Sequence, residues 1–274
     1  PQLYEAETQC AQRLRNFAAS HFPEPAGLDA KLRQAARECG IQYSQEQEQA
    51  IRQAATSGLL LVTGGPGTGK TTILNGVLTL LGQMQLRCVL AAPTGRAAKR
   101  LTEVTGEDAC TIHRLLEAGI DPETGKMCFV RDEDNPLKAD AVIVDEMSMV
   151  DVQLLYSLLR AIPGNKRLIL VGDPDQLPPV GPGFPFQDMI RAGNLPMVRL
   201  TEIFRQAQQS LIVMNAHRVN QGQMPELKTV DSDFFFMRRN SEETVAQTIR
   251  DLCATRLPQK MGIPSDQIQV LSPT

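Results

Sequence analysis

The chain has 274 residues, 42% of them hydrophobic, so it can bury a full core, and 28 Lys and Arg against 31 Asp and Glu leave a net charge of −3. That balance gives no global sign of nucleic-acid binding, although a groove needs only a local basic lining. Six scattered cysteines without a CxxC pair and three dispersed histidines argue against a zinc site or a disulfide framework and fit reduced thiols in a bacterial-type cytoplasm. No stretch approaches 18 uninterrupted apolar residues, and no signal pattern opens the chain, so no membrane contact is expected.

From the start, Leu3, Ala6, Cys10, Leu14 and Phe17, then Leu28, Leu32 and Ala36, are spaced for two helices broken at Phe22-Pro23-Glu24-Pro25. Ser44 followed by Gln47 reads as a capping box. The apolar run Leu59–Val62 enters a Gly-rich turn and then a helical stretch, Thr71–Leu81. Further buried strands are expected at Cys88–Ala92, Ala141–Val144, Leu168–Val171 and Val198–Leu200. This alternation predicts an α/β fold with a parallel sheet and helices on both faces. Residues 114–139 interrupt it with the turn signal Asp121-Pro122-Glu123-Thr124-Gly125, which predicts a small inserted hairpin. Phe234–Phe236 and Ile268–Leu271 read as strands. The chain opens on Pro1 and closes on an apparent strand, so both ends are expected to continue in a longer protein.

Gly64-Gly65-Pro66-Gly67-Thr68-Gly69-Lys70-Thr71, followed by Thr72, matches GxxxxGK[ST] between a strand and a helix. Glycines there let the backbone wrap a phosphate at the positive end of the helix. The pattern implies ATP with Mg²⁺: Lys70 reaches the β- and γ-phosphates and the Thr71 hydroxyl ligates the metal. About 75 residues later, Val142-Ile143-Val144-Asp145-Glu146 sets an acidic pair at the carboxyl end of a buried strand. Asp145 is expected to hold Mg²⁺ and Glu146 to polarise the attacking water. Gln176, in Gly172-Asp173-Pro174-Asp175-Gln176, can sense the γ-phosphate. The hydroxyl and cations of Ala92-Pro93-Thr94-Gly95-Arg96-Ala97-Ala98-Lys99-Arg100 suit a nucleic-acid backbone, though Lys99 and Arg100 taken alone also read as a solvated face.

GGPGTGKTT (64–72), APTGRAAKRL (92–101), TIHRLL (111–116), VIVDEMSMVD (142–151), LVGDPDQLPPVGPG (170–183), LTEIFRQA (200–207) and NAHRVNQG (215–222) together resemble the superfamily 1 helicases, most closely the RecD/TraA branch of 5′-to-3′ DNA helicases. The resemblance covers residues 41–222. It implies a P-loop, RecA-like motor lobe working on single-stranded DNA in repair or recombination. It also implies that Gln47 meets the adenine, that Arg205 contacts the γ-phosphate, and that Thr94, Arg96, Thr111 and His113 line the strand path. His113 reads equally well as a hydrogen-bonded structural histidine, and His217 as a structural or coupling one. Phe184 and Phe186 fit core packing or base stacking. By the same resemblance, residues 1–40 end an N-terminal domain, 41–262 form the first lobe with the hairpin as a duplex-parting pin, and 263–274 begin a second lobe. A motor of this kind binds ATP between two lobes, so the 274 residues alone are expected to bind nucleotide weakly, hydrolyse it slowly and unwind nothing. A scaffold role in a recombination complex is the competing reading.

Overall fold

The computed structural model describes residues 2–122, 125–229 and 232–272, with the side chains of Arg205 and Gln206 outside that description. The chain forms two compact units, residues 1–224 and 225–274. In the first, six strands make a fully parallel sheet: β1 (Leu59–Gly64), β2 (Cys88–Ala92), β3 (Ala109–Thr111), β6 (Ala141–Val144), β7 (Arg167–Gly172) and β8 (Met197–Leu200). Their order is β3-β2-β6-β7-β1-β8. A separate antiparallel pair, β4 (Ala118–Ile120) and β5 (Met127–Phe129), is the inserted hairpin. Glu123 and Thr124 of its expected turn lie outside the described residues.

The central strands are apolar on both faces because both faces are covered. Leu59 and Leu61 of β1 join a core with Cys10, Leu14 and Phe17 of α1 (Gln2–Ala19), Leu155 and Leu158 of α7 (Val152–Ala161) and Met189 of α8 (Pro185–Ala192). Leu60 and Val62, one residue out of step, point into a second core. That core holds Leu28 and Leu32 of α2 (Leu28–Glu38), Ala50 and Ile51 of α3 (Gln45–Thr56), Ile73, Leu74 and Val77 of α4 (Lys70–Gln83), and Leu101 of α5 (Gly95–Thr105). The short α6 (Ile112–Leu115), α9 (Arg205–Gln208) and α10 (Leu211–Asn220) complete this unit.

Three details differ from the sequence reading. Strand β3 is added to the sheet edge, where Leu90 of β2 pairs with its Ala109. Leu3 is exposed, whereas Ala35 takes the buried place expected of Ala36. In the second unit, neither 234–236 nor 268–271 forms a strand, and Phe235 and Phe236 are exposed. No neighbouring strand is paired with either segment among the described residues, and an extended segment without a partner is not a ladder. That unit instead carries α11 (Glu242–Asp251), started by a capping box of Ser241 and Thr244, and α12 (Leu257–Met261), stopped by left-handed Gly262.

The N-terminal helices are fastened to the sheet at the entrance to β1. The Gly58 amide donates to Ser20 O at 2.8 Å, Phe22 N donates to Thr56 O at 2.8 Å, and His21 bridges Ser57. Buried Arg167 lies over the Phe22 ring at 3.7 Å and donates twice to Ala55 O, at 3.2 and 2.9 Å. A methyl group on Gly58 would meet Phe17 O at 2.5 Å and Ser20 Cβ at 2.7 Å. Gly58→Ala is therefore expected to cost about 1–3 kcal/mol by overpacking, lowering Tm by about 3–10 °C. A thermal melt followed by circular dichroism checks this, and a Tm within about a degree of the native value would show that the α1 junction yields freely.

Candidate nucleotide and nucleic-acid site

Strand β1 delivers the chain into residues 65–69, and α4 begins at Lys70. Gly67 and Gly69 adopt φ of +75° and +84°, a region that side chains rarely tolerate. The loop is also backed at close quarters. A Cβ on Gly65 would lie 2.8 Å from His217 Cε1, and one on Gly67 would lie 2.6 Å from Ala207 Cβ. Buried Thr68 donates through Oγ1 to Gly65 O at 2.8 Å, bracing the loop from within. Lys70 Nζ donates to Gly64 O at 2.5 Å and Gly65 O at 3.0 Å, so its ammonium sits inside the curve of the loop. Gly65, Gly67, Thr68, Gly69, Lys70, Thr71 and Thr72 line a cavity of about 1030 Å³ at the N-terminus of the 14-residue α4. Amides and helix dipole there favour an anion.

One end of the cavity is lined differently from the loop. Ser44 caps α3 in the expected capping box: Gln47 N donates to Ser44 Oγ and Ser44 N donates to Gln47 Oε1 at 3.1 Å. Gln47 is 1% exposed, and its Nε2 has no hydrogen-bond partner among the described residues. A buried donor without an acceptor costs free energy unless a ligand supplies one. The same nitrogen would lie 2.4 Å from a Cβ on Gly69, and Phe204 Cε2 would lie 2.9 Å from it. Phe204, which the sequence reading did not single out, therefore lines the cavity with Gln47 and Ile41. Its one sequence signal is its place immediately before Arg205. Arg205 opens α9 beside the loop, but its side chain lies outside the described residues.

The acidic pair follows β6. Asp145 N donates to Ala91 O at 3.0 Å, and Glu146 N donates to Asp145 Oδ1 at 2.9 Å. Glu146 has φ of +55°, a strained conformation for a non-glycine residue, and its Oε2 is buried without a hydrogen-bond partner among the described residues. Burial raises the pKa of Asp145, against the opposing Glu146 amide and Lys70 charge. Burial also raises that of Glu146, helped by the Asp145 charge and opposed by Lys70. Next along the edge, buried Asp173 accepts from Asp175 N at 3.1 Å, and Gln176 Oε1 accepts from Ser148 Oγ at 3.5 Å. Gln176 thus touches the turn that follows the acidic pair.

A second group lies at the other end of the same edge. Thr94 caps α5, its Oγ1 accepting from Ala97 N, and Thr111 caps α6, accepting from Arg114 N. A capping hydroxyl still carries a hydrogen to donate. Arg96 and Lys99 are exposed on α5. His113 sits on α6 with its ring 5.8 Å from that of Phe129 on the hairpin, tilted by 48°. His217 lies elsewhere, its Nε2 2.9 Å from Pro66 O. Phe186 is buried in the core, whereas Phe184 is exposed.

Taken in sheet order, the carboxyl edge presents Thr111 at the end of β3, Thr94 after β2, Asp145 after β6, Asp173 after β7, the P-loop after β1 and Arg205 after β8. The P-loop on one side and two capping hydroxyls with exposed cations on the other flank one acidic pair.

Residues 47–182 match the protein family described as an AAA domain. The ATP-dependent RecD2 DNA helicase of Deinococcus radiodurans is 40% identical over 225 residues, covering 82% of this chain and 30% of that protein. The RecBCD enzyme subunit RecD of Mycolicibacterium smegmatis is 41% identical over 169 residues, covering 53% of this chain and 30% of that one. A crystal structure of Pif1 helicase from Candida albicans aligns with a TM-score of 0.47 and 26% identity over 70% of this chain and 50% of that chain. The chain thus spans 30% of the length of these two curated relatives.

The raised acid at Glu146 carries a stability consequence with a definite sign. A carboxyl that binds its proton more tightly when folded costs nothing below the ordinary carboxylate range and lowers stability as pH rises through its folded pKa. Glu146→Gln is expected to raise Tm by about 2–4 °C at about pH 7.5, with the gain gone near pH 4. Melts across that range check it, and a Tm gain that persists undiminished at the acidic end would contradict the burial origin of the shift.

Proposed function

The chain belongs to the RecD-type superfamily 1 helicases, and from that premise we propose that it is the nucleotide-binding lobe of a motor that couples ATP hydrolysis to 5′-to-3′ movement on single-stranded DNA. The observation that carries this reading is the single sheet edge on which a phosphate loop and a set of capping hydroxyls and cations flank one acidic pair. A ligand-dependent shift near Asp145 and Gln176 then has a short path to both.

In this reading the loop amides of Gly65, Gly67, Thr68 and Gly69, with Pro66 shaping the turn, bind the nucleotide phosphates, helped by Lys70 and Thr72. Gln47 turns its unpartnered Nε2 to the base. Thr71 and Asp145 are the groups that would hold Mg²⁺, which supplies charge neutralisation at the β- and γ-phosphates. Glu146 orients the attacking water and accepts its proton. Gln176 reports the γ-phosphate to the turn at Ser148, and Arg205 stabilises the charge that develops on the transferred group. Thr94, Arg96, Lys99, Thr111 and His113 contact the DNA strand, His113 with its ring steadied by Phe129. The DNA partner, the hairpin's role as a pin, and the division into 1–40, 41–262 and 263–274 belong to the same proposal. So does a cytoplasmic location; no described helix is long and apolar enough to cross a membrane.

The M. smegmatis relative is a subunit of the RecBCD enzyme, which supports recombination or repair proteins as partners and keeps a scaffold role in such an assembly as the second reading. An unpartnered buried Glu146 Oε2 beside Asp145 favours hydrolysis over scaffolding, since a scaffold has no use for its cost.

Three measurements test the proposal: nucleotide binding, DNA-stimulated hydrolysis and duplex unwinding. Lys70→Ala is expected to weaken binding of a fluorescent adenine nucleotide by about 10- to 100-fold, the scale of a lost charged hydrogen bond. Unchanged affinity would remove the P-loop from the site. In the longer protein, hydrolysis is expected to rise with single-stranded DNA, and Arg96→Ala is expected to raise the DNA concentration needed and leave the basal rate intact. A tailed duplex opened from a 3′ overhang only would overturn the assigned polarity, and brisk unwinding by the 274 residues alone would overturn the need for further chain.

A further inference from the structure

The base end of the cavity has two walls from distant parts of the chain. One is the first turn of α3, which carries Gln47, and the other is segment 201–204, which runs from the end of β8 to α9 and carries Phe204. Helix α3 is held from behind, with Ala50, Ile51 and Ala54 fully buried. Segment 201–204 belongs to neither helix nor sheet. Its backbone is tied to the phosphate loop at Phe204, whose amide donates to Gly67 O at 3.3 Å.

The walls are joined by one side chain. Glu46, beside Gln47, takes Thr201 Oγ1 on its Oε1 at 2.7 Å and Thr201 N on its Oε2 at 2.9 Å. Both carboxylate oxygens are thus engaged by a single residue, a two-point contact that fixes direction as well as distance. These two donors hold the Glu46 carboxyl below its ordinary range. The clasp sits one residue from the unpartnered Gln47 donor and three residues from Phe204. Lys70 Nζ donates instead to Gly64 O and Gly65 O, and the acidic pair follows β6.

We propose that Glu46 and Thr201 are positioning residues for base recognition, closing a clasp that holds Gln47 and Phe204 side by side, both against Gly69, as the surface that a nucleotide's planar base meets. The clasp contributes to affinity for a nucleotide and nothing to affinity for the phosphate chain alone. It also anchors the strand end from which Arg205 departs, so base and γ-phosphate are gripped by one segment. This rests on the nucleotide reading of the cavity.

The test is a pair of titrations of the 274-residue chain with Mg²⁺, one with a fluorescent adenine nucleotide and one with inorganic triphosphate as competitor. Glu46→Gln is expected to weaken nucleotide binding about tenfold and Thr201→Val about fivefold, consistent with loss of hydrogen bonds to a charged group. Thr201→Ser restores native affinity, and the double variant is no weaker than Glu46→Gln because both remove one interaction. Triphosphate affinity stays within about twofold throughout, since a general loosening of the fold would weaken both ligands alike. Equal losses for nucleotide and triphosphate, or no loss for nucleotide, would overturn the clasp and leave the nucleotide site standing. If the native chain binds neither ligand, the nucleotide reading falls and the clasp with it.

Discussion

The phosphate loop has no room behind it, and most of the site follows from that. Gly64, Gly65, Gly67 and Gly69 each have a neighbouring atom within 3 Å of where a Cβ would stand. The neighbours come from four places: Thr68 in the loop itself, Leu200 at the end of β8, Ala207 and His217 in the segment beyond, and Gln47 of α3. Packing this close cannot absorb a shift at one point without moving another. A loop made only of glycine would be flexible; a loop of glycine pressed on every side is rigid. The amides are therefore aimed before any ligand arrives, which is what electrostatic preorganisation requires.

That rigidity is borrowed from the sheet. Strand β1 is buried along its whole length, alternate residues entering two separate cores, and it lies between β7 and β8. The neighbouring strands end in the residues the loop works with: β7 in Asp173 and Gln176, β8 in the segment that reaches Arg205. Outward-facing loop carbonyls are taken up by that segment, Gly67 O by Phe204 N and Pro66 O by His217. His217, readable from sequence as structural or coupling, makes a structural contact with the loop, its Nε2 2.9 Å from Pro66 O.

Legibility in the sequence tracked how local each cause was. Strands β2 and β6 were readable to the residue because each is an apolar run bounded by polar or turn residues. The Gln47 capping box needs only Ser44 three positions away, and it formed. Strand β3 is Ala-Cys-Thr, too short and too mixed to signal itself; it is a strand because β2 offers an unpaired edge. Phe234–Phe236 failed in the opposite way, with strand-forming side chains but no ladder to join. The side-chain contacts that stayed hidden are pairings between residues apart in sequence: Glu46 with Thr201, Gln47 and Phe204 each against Gly69, and His113 with Phe129. A motif names residues that serve a ligand directly, and it is silent about the ones that hold those residues in place.

The charge balance at the edge argues for how a metal is shared there. Asp145 and Glu146, with Asp173 nearby, are opposed by the Lys70 charge, and both are already pushed toward protonation by burial. Such a group of acids is relieved by a cation. Yet no cluster of three or more acidic, histidine or cysteine groups among the described residues is arranged to hold a metal with protein ligands alone. Mg²⁺ is reluctant to lose its water and is commonly bound by one or two carboxylates together with substrate phosphates. The proposed donor set fits that division: Asp145 and the Thr71 hydroxyl would hold the ion on the protein side, and phosphate oxygens would supply the rest. Metal and nucleotide would then stabilise each other's binding, and the strained Glu146 would be left for the water rather than the metal.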